Sequence, residues 1–474
     1  MKKYNLFIAG KEVETENYSS LYTPYSKDLI AEIAIANESQ VNAAISHASQ
    51  SFKSFSKFTA RKRFGILEKV SKLLEERKEE AAQIIALELA KPLKYARAEI
   101  ARTIETYQFA AEEAKRIYGE VIPLDAAQSG ENRFGYTKRE PLGVIGAITP
   151  FNFPFNLVAH KVGPAIAAGN SIVLKPASQT PLSALYIAGL FKEAGLPDGV
   201  LNVVTGPGSV IGDLLLAHDE IKMITFTGSP KIGYQISQKA GFKRTTLELG
   251  SNSALIIDKD VDVSSIIDRC VMGAFSNQGQ VCISTQRIFV HEDVASTFVE
   301  LFINATNQLK LGDPLAEDTD ISALVSPGDL QRSLDWIREA EENGAQIITG
   351  GHEENGVLKP TIILDAKDFL KVSCNEVFAP IVVVNTFKEI NDAIGAVNNS
   401  EFGLQAGIYT NNVPNALLAA DNLEVGGVII NDVPTFRVDH MPYGGIKNSG
   451  TGREGLKYAI EEMTEMKLII WNQS

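Results

Sequence analysis

The sequence contains 474 residues, of which 45% are apolar and 22% are charged, and its formal net charge at pH 7 is -13. At about 150 residues per domain this length predicts two or three domains, and the composition excludes a disordered or fibrous chain. The negative charge, without a Lys/Arg run interleaved with aromatic residues, argues against binding to nucleic acid.

The N-terminal part of the chain is predicted to be helical. The first residues, Met1 to Asn5, lead into polar, turn-rich sequence without the apolar core of a secretory signal. Between residues 39 and 118, apolar side chains recur at helical spacing, as at Phe64, Leu67 and Val70, with Lys and Glu on the opposite face. This spacing predicts long amphipathic helices.

From about residue 141 the pattern changes to short apolar runs that end in Gly/Pro turns and alternate with helical stretches. The runs are 143–148, 171–174, 201–204, 223–226, 254–257, 287–290, 346–348, 381–384 and 406–409. Strands that alternate with helices of about 10 to 15 residues predict βαβ units and parallel sheets. We therefore predict two α/β domains, with a boundary in the polar stretch around Gly250.

Two segments do not belong to this alternation. Residues 119–140 and the C-terminal tail contain strand-like sequence, which we expect to form an arm for subunit contacts. The predicted limits are residues 1–118 and 141–247 for the first α/β domain, 248–425 for the second, and 119–140 with 456–474 for the arm.

The sequence gives no indication of a membrane or an oxidising compartment. The longer apolar runs, 142–148, 162–174 and 425–430, are too short to span a bilayer. Three cysteines are too few for a disulfide framework in a chain of this length, and no His/Cys cluster has the spacing of a metal site. We therefore expect a cytoplasmic protein without membrane contact, metal or disulfide.

Cys282 is the candidate nucleophile. It follows a helical run and lies in a small, polar stretch that contains Gly279. A free thiol has a pKa of roughly 8.5, and the backbone N–H groups of such a turn help a thiolate to persist. The alternative is a buried structural cysteine, which we expect for Cys270, in the helical run 266–275, and for Cys374.

Two other polar residues lie in apolar or rigid surroundings. Glu248 stands between Leu247 and Leu249, and apolar flanks raise the pKa of a carboxylate towards the range of a general base. A structural ion pair is an equally good interpretation. Asn152 lies between two prolines after a predicted strand, where its amide could donate to an oxyanion or simply form a turn.

Two segments suit a phosphate-containing cofactor. Lys175 follows a buried strand, where an ammonium can bind a cofactor hydroxyl or phosphate. Gly228 and Ser229 connect a strand to the N-terminus of a predicted helix, which is a site for a pyrophosphate. The glycine-rich segment 206–212 lacks the GxGxxG spacing and predicts only a loop and a helix start.

Taken together, these segments resemble the aldehyde dehydrogenase superfamily over essentially the whole chain. The matching motifs are TPFNFP around Asn152, KPAS from Lys175, LELGS around Glu248, GQVCIS around Cys282, NEVFAP with Glu376 and Phe378, and MPYGGIKNSG from residue 441. The resemblance implies an α/β fold with a Rossmann-like NAD(P)-binding domain, a second α/β catalytic domain and a small β oligomerisation arm, in a homodimer or homotetramer.

The resemblance also implies roles for the catalytic residues. Cys282 would be the nucleophile, and Asn152 with the Cys282 backbone N–H would form the oxyanion hole. Glu248 would activate the water that hydrolyses the thioester. The reaction itself also requires a covalent adduct with a nucleophile, because hydride leaves readily from a tetrahedral oxyanion and not from an aldehyde carbon.

The cofactor residues follow from the same resemblance. Lys175 and Glu376 would hold ribose hydroxyls, Phe378 would line the nicotinamide pocket, and Ser229 with the following helix would bind the pyrophosphate. Many members that prefer NAD carry an acidic residue where this chain has Ser178. A hydroxyl does not repel a 2'-phosphate, so the resemblance implies NAD or NADP.

Four positions bear on the substrate, a small aldehyde. His160 stands where succinic semialdehyde members usually carry an arginine, which weakens the case for a dicarboxylic semialdehyde. Arg437 looks like the arginine that lactaldehyde-like and non-phosphorylating glyceraldehyde-3-phosphate members place near the distal anion, and Arg116 would correspond to a second one. Val281 replaces the arginine that precedes the nucleophile in the glyceraldehyde-3-phosphate type.

We therefore expect a short 2-hydroxyaldehyde such as lactaldehyde, or a three-carbon analogue with an anionic end such as sulfolactaldehyde or glyceraldehyde-3-phosphate. A surface or subunit-contact salt bridge is an equally good interpretation of Arg437. The alternatives for the whole chain are a semialdehyde or CoA-acylating aldehyde dehydrogenase and a catalytically silent structural member. The presence of Glu248 favours hydrolysis over transfer to CoA.

Overall fold

The computed structural model describes residues 2–473, and its largest feature is an eight-stranded sheet, here called the first sheet. In spatial order its strands are Gly450–Thr451, Arg244–Glu248, Ile221–Thr227, Val144–Ile148, Ser171–Lys175, Leu201–Val203, Leu6–Ile8 and Lys11–Val13. The five strands between residues 144 and 248 are parallel, and antiparallel strands extend the sheet on both sides.

Helices cover both faces of the first sheet, which explains why its central strands read as continuous apolar runs. Ile172 and Leu174 pack into the core on one face, and Val173 between them packs into the core on the other. This alternation follows from the two-residue period of a strand. The helices are Glu38–Phe55, Ala60–Glu76, Lys78–Leu89, Leu93–Ala114, Asn156–Ala168, Pro181–Glu193, Gly208–Ala217, Pro230–Lys239 and Leu456–Glu462.

A seven-stranded second sheet repeats this construction. Its strands, in spatial order, are Gln346–Thr349, Thr361–Leu364, Ile381–Phe387, Arg287–His291, Ala254–Ile257, Gln405–Tyr409 and Gly427–Ile430. All neighbours are parallel except the first pair. The helices of this part of the chain are Ile267–Phe275, Glu292–Thr306, Pro327–Glu342, Lys371–Cys374, Ile390–Asn398 and Val413–Asn422.

The remaining strands form small antiparallel or mixed sheets. A three-stranded arm consists of Val121–Ile122, Arg133–Pro141 and Thr464–Asn472, and the last two strands pair from Thr464 with Pro141 to Asn472 with Arg133. The other strands are Lys3–Tyr4, Asn17–Tyr22 and Leu29–Ile35 in one sheet, Glu353–Glu354 with Val357–Leu358, and Phe402–Gly403 with Ile446–Lys447. Short 3-10 turns occupy Leu124–Ala126, Gln128–Gly130, Val263–Ser265 and Ser276–Gly279.

Strands occupy all nine apolar runs that the sequence analysis selected, and four helices occupy residues 38–114. The structure adds three contributions to the first sheet that are not among these runs, from residues 6–13, from Arg244–Glu248 and from Gly450–Thr451. The division into domains at the predicted limits stays a prediction. Between residues 2 and 473, no helix is both long and apolar enough to cross a membrane, and no three His, Cys, Asp or Glu side chains are grouped to hold a metal ion.

Candidate active site

The candidate residues of the first sheet lie at the carboxyl ends of its parallel strands. Lys175 and Glu248 are the last residues of their strands. The Asn152 loop, residues 149–155, follows the strand Val144–Ile148, which lies between those two strands in the sheet. The Gly228 backbone N–H donates to the Glu248 carbonyl at 3.0 Å. The edge at which parallel strands end is the usual ligand edge of an open α/β sheet.

The Cys282 loop, residues 276–284, is held in an unusual backbone conformation. Asn277 and Gln278 have φ values of 52° and 55°, in the left-handed region that non-glycine residues rarely adopt. Gly279 is also left-handed, and a Cβ there would lie 2.1 Å from the Ala379 carbonyl oxygen. The Gln278 side chain anchors the turn by donating to the carbonyl of Ala90 at 2.9 Å. The surrounding structure therefore fixes the path of the chain into Cys282.

Asn152 connects the first sheet to this loop. Its side-chain amide donates to the Gln280 carbonyl at 3.0 Å, and its own carbonyl accepts from Lys91 Nζ at 2.7 Å. Asn152 is buried. One amide hydrogen of Asn152 is used in this way, which leaves the second for another acceptor.

A buried ion pair holds the Asn152 loop. Lys91 Nζ lies 2.5 Å from Glu99, and both side chains are inaccessible to solvent. The other Glu99 oxygen accepts from the backbone N–H groups of Phe155 and Asn156 at 2.9 and 3.2 Å. Because this carboxylate spans the end of the loop and the start of the next helix, it fixes where Asn152 points.

Glu248 is a buried carboxyl group without a hydrogen bond. Among the residues that the structure describes, neither of its side-chain oxygens has a partner. Burial and the nearby charge of Glu454 raise the pKa of Glu248 well above its usual value, and Arg437 and Lys161 oppose the shift. A Cβ on Gly444 would lie 2.9 Å from Glu248 Oε1, so this glycine leaves space beside the carboxyl group.

Glu454 pairs with two cations next to Glu248. It accepts from Lys161 Nζ at 3.3 Å and from Arg437 Nη2 at 3.0 Å. Burial alone would raise the pKa of Glu454, but Lys161 and Arg437 lower it to about 2. Glu454 is therefore ionised at neutral pH, and its charge makes ionisation of Glu248 more costly.

Arg437 lies inside the site and not on the surface. Only 7% of its side chain is exposed, and its guanidinium carbon lies 3.7 Å from the centre of the Tyr443 ring. Nε has no hydrogen-bond partner within residues 2–473, whereas Nη2 binds Glu454. The alternative interpretation was a surface or subunit-contact salt bridge, and Arg437 does form a salt bridge with Glu454, but a buried one.

His160 is buried beside Arg437. Its Nε2 lies 2.8 Å from Asp439 and 3.2 Å from Arg437 Nη2. Burial, followed by the charge of Arg437, lowers the pKa of His160. A neutral His160 that donates from Nε2 to Asp439 fits the shorter contact, and Asp439 also accepts from Arg102 at 2.7 Å and from the Asn156 side-chain amide at 3.1 Å.

The structure does not bring Arg116 into contact with these residues. Its side chain is 48% exposed and forms ion pairs with Glu112 at 3.2 Å and Glu113 at 2.9 Å, just after the helix Leu93–Ala114. These partners are local in sequence. A substrate role for Arg116 stays a prediction without a contact to support it.

Cys282 lies among the groups described above. Its Sγ is 3.3 Å from the Tyr443 hydroxyl oxygen. Burial raises the pKa of the thiol to about 11, Tyr443 and Arg437 act in the opposite direction, and Glu376 and Glu248 add to the rise. Cys270 is buried in the core and Cys374 is exposed, and neither has a comparable set of neighbours.

The predicted cofactor residues can accommodate a dinucleotide. Burial lowers the pKa of Lys175 to about 8, and its ammonium has no hydrogen-bond partner within the described residues. Ser229 is the exposed N-cap of the helix Pro230–Lys239, and its side chain makes no capping hydrogen bond, so the positive end of this helix stays open to a ligand. Ser178 is exposed, and its hydroxyl donates to the Gly206 carbonyl at 3.2 Å.

Glu376 and Phe378 lie on the other side of the site, next to the Cys282 loop. Glu376 accepts from the Ser251 backbone N–H at 3.0 Å, and burial raises its pKa to about 7. Phe378 has a left-handed φ of 52° and packs edge to face with Phe151, with ring centres 5.7 Å apart. An unpartnered ammonium, an open helix terminus and a buried carboxyl group are suited to ribose and phosphate groups.

The sequence analysis missed Lys161, Glu454, Tyr443, Lys91 and Glu99. Lys161 gave one usable signal, because it stands in a fully buried helix whose other residues are mostly apolar. Tyr443 was quoted only as part of a motif. The others gave no local signal, because their partners come from distant parts of the chain.

Comparison with known proteins identifies the class. The model of the aldehyde dehydrogenase family matches residues 11–469. The chain belongs to this family, and the predicted fold and the predicted class of oxidoreductase are confirmed.

Several similar proteins carry names that state a substrate. The chain is 45% identical over 472 residues to a 3-sulfolactaldehyde dehydrogenase of Priestia aryabhattai, covering 100% of this chain and 98% of that protein. It is 41% identical to a lactaldehyde dehydrogenase of Methanococcus aeolicus, with 98% of both proteins covered. A glyceraldehyde-3-phosphate dehydrogenase of Methanocaldococcus jannaschii, solved with NADP, superposes with a TM-score of 0.93 at 39% identity, over 97% of this chain and 100% of that one. The predicted resemblance to lactaldehyde-type and glyceraldehyde-3-phosphate-type members is confirmed.

Proposed function

We propose that the chain oxidises a short 2-hydroxyaldehyde, with a small anionic group at its far end, to the carboxylic acid with NAD+ or NADP+. The observation that carries this proposal is the position of Arg437. Its guanidinium stacks on Tyr443, whose hydroxyl contacts Cys282 Sγ, so a single side chain separates this cation from the thiol. A three-carbon aldehyde held at that cation would present its carbonyl carbon to the thiol.

In this proposal three residues have separate catalytic roles, namely Cys282, Asn152 and Glu248. The Cys282 thiolate adds to the aldehyde carbon, and the second amide hydrogen of Asn152 with the Cys282 backbone N–H stabilises the oxyanion. A bound NAD+ or NADP+ would supply the hydride acceptor for this adduct, whose loss of a hydride leaves a thioester on Cys282. Once Glu248 has lost its own proton, its carboxylate takes a proton from a water molecule that attacks the thioester, which releases the acid and the Cys282 thiolate.

The charge of the site favours a monoanion. Arg437 and Lys161 pair with Glu454, and Arg102 pairs with Asp439, so these two carboxylates offset most of the positive charge that a phosphate dianion would need.

Val281 supports the same conclusion. It supplies no cation directly before the nucleophile, and each charge-assisted hydrogen bond is worth about 1.5 to 3 kcal/mol. The relatives that act on sulfolactaldehyde and lactaldehyde also support the three-carbon class.

Lys175, Glu376 and Ser178 support the use of either cofactor. Lys175 and Glu376 would hold ribose hydroxyls, and Phe378 would line the nicotinamide pocket. Ser178 carries no charge that repels a 2'-phosphate, and the solved relative from Methanocaldococcus jannaschii binds NADP. The helix that begins after Gly228 and Ser229 would bind the pyrophosphate.

The arm supports a homodimer or homotetramer. The strand Thr464–Asn472 pairs on one side only, and it exposes Met466, Leu468 and Ile470 on one face. A nine-residue edge strand with exposed apolar side chains is normally covered by another chain. A cytoplasmic location stays part of the proposal, and the three unpaired cysteines agree with a reducing compartment.

Reduced cofactor formation at 340 nm tests the proposal. The substrates are sulfolactaldehyde, lactaldehyde, glyceraldehyde-3-phosphate, succinic semialdehyde and propanal, each with NAD+ and with NADP+, with and without CoA. We expect the highest kcat/KM for sulfolactaldehyde or lactaldehyde, no requirement for CoA, and no turnover by Cys282→Ser. A preference for succinic semialdehyde, or turnover by Cys282→Ser, would contradict the proposal.

A further inference from the structure

Tyr443 is in direct contact with the sulfur of the proposed nucleophile. Its hydroxyl oxygen lies 3.3 Å from Cys282 Sγ, and this is the only hydrogen-bond contact of that sulfur within residues 2–473. Tyr443 is 3% exposed and packs with Ile283 and Leu404 in a small apolar cluster. The ring therefore cannot turn away from the sulfur without disturbing this cluster.

The direction of this hydrogen bond is set by the acidity of the two groups. Burial and the neighbouring Cys282 raise the pKa of Tyr443 well above its usual value, although Arg437 opposes the rise. The phenol thus keeps its proton across the neutral range. A thiolate can only accept a hydrogen bond, so the Tyr443 O–H donates once Cys282 is ionised.

Arg437 holds the Tyr443 ring from the other side. Its guanidinium carbon lies 3.7 Å from the ring centre, and Glu454 fixes the guanidinium through Nη2 at 3.0 Å. A cation over the face of a phenol ring is attracted to the ring and draws electron density from it. The O–H group consequently becomes a stronger donor towards the sulfur.

We propose that Tyr443 is a further catalytic residue, whose hydroxyl donates a hydrogen bond to the Cys282 thiolate and fixes the direction of Sγ, and that Arg437 is the positioning residue that orients this phenol. The thiol proton leaves to water when Cys282 ionises, and Tyr443 keeps its own. The inference rests on the proposed function, because it takes Cys282 as the nucleophile.

The charges around the thiol make this hydrogen bond important. Tyr443 and Arg437 favour the thiolate, whereas burial, Glu376 and Glu248 disfavour it. Burial has the largest effect and leaves the pKa of the Cys282 thiol at about 11. Loss of the hydrogen bond would raise this pKa further, so the thiolate fraction at any pH below it would fall.

Alkylation by iodoacetamide measures that fraction without a substrate. The background is Cys374→Ser, because Cys374 is the exposed thiol, and mass spectrometry locates the modification on the Cys282 peptide. We expect Tyr443→Phe to react about ten-fold more slowly than the background protein between pH 7 and 9, since a hydrogen bond to a charged group is worth about one pKa unit. Phe is smaller than Tyr, so a slower reaction cannot be a loss of access.

Tyr107→Phe is the matched control, because Tyr107 is fully buried and its hydroxyl has no hydrogen-bond partner within the described residues. Its alkylation rate should equal that of the background. We expect Arg437→Lys, which keeps the charge but loses the planar stack, to be about three-fold slower. If Tyr443→Phe reacts as fast as Tyr107→Phe, the inference about Tyr443 is wrong, and an unchanged rate in Arg437→Lys removes the role of Arg437.

One more variant separates failure of this inference from failure of the proposed function. Cys282→Ala should lose both alkylation of its peptide and aldehyde oxidation. Retained oxidation by Cys282→Ala would defeat the proposed function itself. Loss of oxidation by Cys282→Ala together with unchanged alkylation of Tyr443→Phe would defeat only the inference about Tyr443.

Discussion

Two buried glutamates of this protein, Glu99 and Glu248, differ in how completely their carboxyl oxygens are used. Lys91 and Glu99 are 2.5 Å apart, and their remaining atoms bind the Asn152 carbonyl and two backbone N–H groups. Lys161 and Glu454 are 3.3 Å apart and lie beside Glu248, whose carboxyl oxygens have no hydrogen bond within the described residues.

This difference in hydrogen bonding distinguishes residues that hold the structure in place from a residue that is available for chemistry. A fully bonded pair cannot accept a new partner without losing an existing one, so Lys91 and Glu99 hold the Asn152 loop in place. An unbonded buried carboxyl group is costly for the folded state, and its free oxygens can instead bind water or a proton. Glu248 therefore combines a stability cost with the capacity to act as a base.

The largest effect is expected when the fully bonded pair is broken. Lys91→Met leaves the Glu99 carboxylate buried without its cation, which should lower the free energy of unfolding by about 3 to 5 kcal/mol. Urea unfolding followed by circular dichroism measures this loss. Lys91→Met with Glu99→Gln removes both charges and should recover a large part of it.

Lys72→Met is the control for that variant, because Lys72 forms an exposed pair with Glu68 on a helix surface. Its effect on unfolding should be close to zero. Equal losses for Lys72→Met and Lys91→Met would show that the buried pair is not the support of the Asn152 loop.

The second effect concerns the unbonded carboxyl group. Glu248→Gln removes the base and no hydrogen bond, so we expect hydrolysis of the thioester to slow by roughly 100- to 1,000-fold while the unfolding free energy stays the same or rises. Stopped-flow absorbance at 340 nm should still show a burst of one reduced cofactor per site, followed by a slow steady rate. Loss of the burst would assign Glu248 to an earlier step.

Glu88→Gln is a matched control, since Glu88 is also a buried carboxyl group but accepts from the Leu182 and Ser183 backbone N–H groups and from the Ser183 hydroxyl. It should cost stability and leave the turnover of the folded enzyme unchanged. This pattern is the reverse of that expected for Glu248→Gln.

A third and smaller effect is the pH dependence of stability. The pKa of Glu248 is raised in the folded state by burial and by Glu454, so the folded protein holds a proton that the unfolded chain releases above a pKa of about 4.3. The stability associated with this proton is fully present below that value and is lost as pH rises towards the folded pKa. The loss is at most about 1.4 kcal/mol per pH unit.

Glu248→Gln has no such proton, and its advantage in unfolding free energy over the natural protein should grow between pH 5 and pH 8. Parallel urea titrations at four pH values measure the difference. A constant difference across this range would mean that Glu248 is ionised in the folded protein.

Local patterns explain what the sequence could predict. The strands were found because a continuous apolar run followed by a turn is a local signal, and Cys282, Glu248 and Asn152 were found because each lies in a short motif. Glu454 could not be assigned, because its cations come from a distant helix and loop and only the folded chain brings them together. Arg116 shows the opposite case, where a promising residue is paired with its own neighbours.

Arg437 belongs with the incompletely bonded groups, and it gives the smallest expected effect. Its Nε has no hydrogen-bond partner within the described residues, so Arg437 keeps a donor for an anion, whereas Lys91 binds Glu99 and the Asn152 carbonyl. Arg437→Ala should raise KM by about ten-fold for sulfolactaldehyde, in line with the loss of one charge-assisted hydrogen bond, and much less for propanal. Any change in folding or in the Cys282 thiol affects both substrates alike, so the ratio of the two KM values isolates anion binding. An equal rise in KM for both substrates would mean that Arg437 only holds Tyr443 and Glu454 in place and does not bind the anion.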